Sequence, residues 1–62
     1  LGRAEQARRW LWEEIQDDLM AELKSDPALV PLIAEQEAQV GRGETTPSAA
    51  AREILAAFLR RP

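Results

Sequence analysis

Two cap–proline pairs, Asp26-Pro27 and Thr46-Pro47, constrain what this chain can fold into more than anything else in it. An aspartate or threonine side chain can accept from a free backbone amide at a helix start. Proline in the next position has no amide to leave unsatisfied. Each pair therefore opens a helix and closes off whatever precedes it. Gly41-Arg42-Gly43 adds a stop, with a glycine available for a left-handed cap. These punctuation marks predict three helices, at about 3–24, 27–41 and 47–60, one long and two shorter. The expected fold class is all-α, a three-helix arm forming a single helical domain over 1–62. No strand, internal repeat or low-complexity run is visible.

The apolar spacing says which faces are buried. In the first segment Leu11, Ile15, Leu19 and Leu23 recur every four residues, with Ala4 and Trp12 on the same arc. The second carries Leu29, Val30, Ile33 and Val40. Pro31 removes a backbone donor just past its first turn, which predicts a kink or a short 3₁₀ turn. The third has the cleanest stripe: Ala50, Ala51, Ile54, Leu55, Phe58 and Leu59. Arg60 and Arg61 close it at the negative end of the helix dipole. Two local contacts are expected on the first helix, a Glu5–Arg9 ion pair and an Arg8–Trp12 cation–π contact.

Trp10 and Trp12 lie two residues apart on a helix that turns about 100° per residue, so they point to nearly opposite sides. Trp12 falls inside the apolar arc and is expected in the chain's own core. Trp10 falls among Gln6, Glu13 and Asp17, and Met20 is a second apolar position off the main arc. Either another helix of the same chain folds over Trp10 or a partner covers it. Tryptophan is enriched at interface hot spots, which favours the partner. A chain of 62 residues is marginal as a free domain, and this one has no cysteine for disulfides and no histidine for a transition metal. Assembly, or the rest of a longer protein, is the remaining support. Arg3, Arg8 and Arg9 sit near a helix start that the dipole disfavours for bases, behind only Gly2 as a weak cap. That pattern is expected of a C-terminal piece whose first helix continues upstream.

Chemistry finds little to work with. There is no His, Cys or Tyr; Ser25 and Ser48 sit at helix boundaries, where serine caps, and Lys24 lies in a last turn. Glu13/Asp17 and Glu14/Asp18 are i,i+4 carboxylate pairs, but one exposed helix gives them no enclosing pocket and they read as a solvated acidic face. Gly41-Arg42-Gly43 lacks the preceding strand and the Lys-Ser/Thr ending of a phosphate loop. No catalytic, cofactor-binding or metal-binding residue is therefore expected. A net charge of −3 argues against nucleic acid, and the acids following Arg8 and Arg9 would repel a phosphate backbone. No apolar run approaches the ~20 residues a membrane span requires. Absent cysteines fit a cytoplasmic location.

The segment Gln6-Ala7-Arg8-Arg9-Trp10-Leu11-Trp12-Glu13-Glu14-Ile15 resembles the Gln-x-x-x-Trp-Met-Trp stretch near the C-terminus of the MeaB/ArgK G proteins. These are GTPase chaperones of adenosylcobalamin-dependent methylmalonyl-CoA mutase, also labelled LAO/AO transport-system ATPases or kinases. The resemblance continues through Asp26-Pro27, Glu37, Val40, Gly43, Pro47, Ala50-Ala51 and Phe58. It includes a Gly-x-x-Thr-Pro turn at Gly43–Pro47. Leu11 stands where the family commonly has Met, and Pro31 departs from its pattern. The resemblance implies a C-terminal dimerisation arm of a larger P-loop GTPase. GTP and Mg would belong to the parent protein and not to this fragment, and the parent's partner would be the mutase. The expected interface and core residues are Trp10, Leu11, Trp12, Ile15, Leu19, Met20 and Leu23 on the first helix, Ile33 and Val40 on the second, and Ile54, Leu55, Phe58 and Leu59 on the third. Trp10 is the tryptophan expected to meet a second copy. The alternative is a free-standing helical adaptor that binds a non-identical protein through the Trp10 face.

Overall fold

Three helices form in chain order: α1 over Arg3–Ser25, α2 over Val30–Gly41 and α3 over Pro47–Arg60. The computed structural model describes residues 2–61, so Leu1 and Pro62, the ends of the expected 1–62 domain, lie outside the described residues. No strand occurs among the described residues. The architecture is the all-α three-helix arm read from the sequence.

The helix ends follow from local chemistry. Thr46 caps α3, its Oγ1 accepting from the Ala49 amide at 3.1 Å, and Pro47 occupies the first helical position. At the end of α2, Gly43 takes φ +73, the left-handed conformation. The Gly43 amide donates to the Val40 carbonyl at 3.1 Å and the Glu44 amide to the Gln39 carbonyl at 2.9 Å. That is a Schellman cap, and it requires glycine at the turn.

The start of α2 differs from the expectation of a helix from residue 27. The Leu29 and Val30 amides donate to the Asp26 carbonyl at 2.9 and 3.1 Å, and the Asp26 side chain accepts from the Ala28 amide at 2.9 Å. Asp26 thus organises a tight turn over residues 27–29, and regular helix begins at Val30. Pro31 supplies the reason. It has no amide to donate to the carbonyl of Pro27, so the ladder cannot run continuously through this point. Pro31 falls within the first turn of α2, where proline is tolerated, and the tight turn lies ahead of it.

Packing is uneven. α2 and α3 fold back on each other as a hairpin, and the buried residues there are Leu29, in the turn ahead of α2, and Ala50. α1 has no fully buried residue. Its C-terminal half runs beside the hairpin, while its N-terminal half projects. The radius of gyration is 15.2 Å, against about 11 Å for a compact chain of this length. The accessible surface is 5206 Å², against about 4,000 Å² for a compact monomer of 6.9 kDa. Roughly 1,200 Å² more surface than usual therefore faces water.

Candidate assembly surface

Five of the large apolar side chains that stand exposed, Trp10, Leu11, Trp12, Leu19 and Met20, lie on α1. At 1.5 Å per residue the helix is about 35 Å long, and only its second half has a neighbour. Trp10, Leu11 and Trp12 lie on the projecting half, with Trp10 60% and Trp12 61% exposed. Ile15, one turn after Leu11 on the same ridge, is half-buried. The apolar ridge then runs into Leu19 and Leu23, where α3 comes alongside.

Between these two helices lies a groove of about 430 Å³, lined by Gln16, Leu19, Met20 and Leu23 of α1 and by Leu55, Phe58 and Leu59 of α3. Its lining is almost wholly apolar, yet Leu19, Met20, Leu55 and Leu59 all remain exposed. A second groove of about 420 Å³ separates α2 from α3, between Val40, Pro47, Ala50, Ala51 and Ile54. Ile33 borders a smaller one, about 200 Å³, with Lys24, Val30, Ala34 and Glu37. The expected site residues thus divide. Leu19, Met20, Leu23, Leu55, Phe58 and Leu59 come together in one groove, and Val40 and Ile54 in another. Trp10, Leu11 and Trp12 line none of these inter-helix grooves.

One expectation is corrected, and one of the two alternatives for Trp10 is excluded. Trp12 is not in the chain's core: its indole is as exposed as that of Trp10, because neither α2 nor α3 reaches that level of α1. For the same reason no helix of the same chain covers Trp10. The opposition of the two rings around the helix stands as geometry, but it does not separate a buried ring from a free one.

Electrostatics on the arm are mild. Arg42 pairs with Glu44, Nε to Oε2 at 2.8 Å, and this hydrogen bond holds the guanidinium above its ordinary value. Both side chains are more than half exposed, so the pair adds little to stability. Arg61 Nη1 reaches Asp26 Oδ2 at 3.4 Å, and the same guanidinium lies 4.4 Å from the centre of the Phe58 ring. This contact ties the end of α3 to the α1–α2 turn, and it was not foreseen from the sequence. Its partners are 35 positions apart, and nothing local to either announces the other. The expected Glu5–Arg9 ion pair and Arg8–Trp12 cation–π contact do not form among the described residues. Gln16 was also missed as a groove residue. It lies four positions after Trp12 and four before Met20, so the ridge itself carried the signal.

Among the described residues no group of His, Cys, Asp or Glu is gathered that could hold a metal ion. Among the same residues no helix is long and apolar enough to cross a membrane.

Comparison with known proteins gives two similar sequences. One is a protein of Caulobacter vibrioides named "Putative GTPase", 43% identical over 56 residues, covering 90% of this chain and 17% of that protein. The other is "Methylmalonic aciduria type A homolog, mitochondrial" of Caenorhabditis elegans, 27% identical over 56 residues, covering 90% of this chain and 14% of that protein. The chain spans about a sixth of the length of these curated relatives. No family model matches it, and no solved structure does.

Proposed function

We propose that the chain is the homodimerisation arm of a larger GTPase of the MeaB/ArgK type, one that supports adenosylcobalamin-dependent methylmalonyl-CoA mutase. The observation that carries this reading is the uncovered apolar surface. Leu11, Trp12 and Leu19 stand in water on one helix, continuous with an open apolar groove. The excess of about 1,200 Å² exceeds the ~800 Å² that each partner contributes to an interface of ordinary size. The names of the two similar proteins, one a GTPase and one linked to methylmalonic aciduria, support the parent's side of the reading. So does the resemblance of the Gln6–Ile15 segment. In this proposal GTP hydrolysis and mutase binding belong to the parent protein, and the arm contributes assembly in the cytoplasm.

Trp10 is the tryptophan expected from the sequence to meet a second copy; in this proposal it gives that place to Trp12, because it faces away from the groove. It favours a second reading strongly enough to test. It is 60% exposed on the face away from the groove, where an adaptor would hold a non-identical partner. Light scattering of the 62-residue chain across a concentration series separates the two. A dimer is the expected result, and a monomer at high micromolar concentration would favour the adaptor.

A further inference from the structure

We infer that two copies pair antiparallel along α1, about a two-fold axis at Ile15, with the Trp12 of each copy seated at the mouth of the other's α1–α3 groove. This rests on the homodimer reading and specifies its geometry.

One face of α1 carries matched positions around Ile15. Leu11 and Leu19 lie four residues to either side, and Arg8 and Glu22 lie seven to either side. Four residues rotate the helix about 40° from Ile15 and seven about 20°, so all five share one face. Leu11, Leu19, Arg8 and Glu22 are exposed, and Ile15 is half-buried. An antiparallel two-fold brings Leu11 to the second copy's Leu19, Ile15 to its own mate, and Arg8 to the second copy's Glu22, twice. A parallel pair would set Arg8 against Arg8 and Glu22 against Glu22, and opposed like charges select against that orientation.

The flanks agree. Relative to Ile15, Trp12 lies about 60° to the same side as Leu19 and Leu23, the side on which α3 packs. A two-fold keeps that flank of both helices on one side of the seam. The second copy's Trp12 then arrives at the level of Asp18 and Leu19, beside Leu55 and Leu59. The surface available, about 1,200 Å² above that of a compact monomer, suffices for such a seam.

The chain has no cysteine, so introduced cysteines report without background. Leu11→Cys and Leu19→Cys variants are oxidised separately and as an equimolar mixture, with Ile15→Cys alongside. The expected result is covalent dimer from the mixture and from Ile15→Cys, and little from Leu11→Cys or Leu19→Cys alone. In the antiparallel seam each of those residues is about 12 Å along the axis from its own mate, beyond disulfide reach. Covalent dimer from Leu19→Cys alone, at the rate of the mixture, would mean a parallel pair and overturn the inference. A dimer by light scattering that none of these variants captures would also overturn it while leaving the homodimer reading intact. A monomeric chain would remove both.

Charge exchange is the second readout. Arg8→Glu and Glu22→Arg should each raise the dimer Kd about tenfold, and the double variant should return it to near the starting value. No recovery in the double variant counts against the pairing.

Discussion

Trp12→Ala distinguishes a tryptophan held for assembly from one held for folding. A tryptophan buries up to about 250 Å² when fully covered, so at 61% exposure Trp12 leaves roughly 150 Å² in water in the single chain. It lines none of the inter-helix grooves, and its loss opens no cavity. The cost to the monomer should stay below about 1 kcal/mol. Covering that area at ~25 cal/mol per Å² gives a ceiling near 4 kcal/mol per ring, and the usual hot-spot threshold is about 2 kcal/mol. A symmetric dimer holds two rings. At the threshold value the dimer loses about 4 kcal/mol, which is roughly a thousandfold in Kd. The assay is sedimentation equilibrium for Kd, with thermal unfolding by circular dichroism at a concentration where the wild-type chain is monomeric. Trp10→Ala, on the opposite side of α1, is the matched control and should leave Kd within about threefold. A Trp12→Ala chain that dimerises like wild type, or whose monomer melts far earlier, refutes the reasoning. If Trp10→Ala alone weakens association, the partner sits on the other face.

Two helix-start variants test the hairpin. Thr46→Ala removes the acceptor for the Ala49 amide and should lower the unfolding free energy by about 1 kcal/mol, read by urea denaturation. Pro31→Ala should lie within about 1 kcal/mol of wild type, since Pro31 occupies the first turn of α2; a proline in a helix interior would give a gain near 3 kcal/mol on removal.

What the sequence disclosed was local. Thr46-Pro47 and Gly43 are read correctly because cap, proline and left-handed glycine act within four residues of themselves. Asp26-Pro27 has the same form but builds a turn. The deciding group is the missing amide of Pro31, four residues on, and Leu29 is delivered by that turn to 4% exposure in the hairpin core. The placement of Trp12 failed for a different reason. Helical periodicity says which residues share a face, but not whether another element reaches that level of the helix. Leu19, Leu23, Leu55 and Phe58 were recognised as apolar positions, and they meet because α3 returns alongside the C-terminal half of α1. The Asp26–Arg61 contact depends on that same return and has no local signature.

The projecting half of α1 also has a mechanical consequence. A helix about 35 Å long, gripped near one end, is a lever. A rotation of about 10° where Asp26 meets Arg61 would carry the far end of α1 some 6 Å, about the rise of four helical residues. Any such tilt at the turn where Asp26 and Arg61 lie 3.4 Å apart would be magnified into a displacement that changes which residues can meet across a seam.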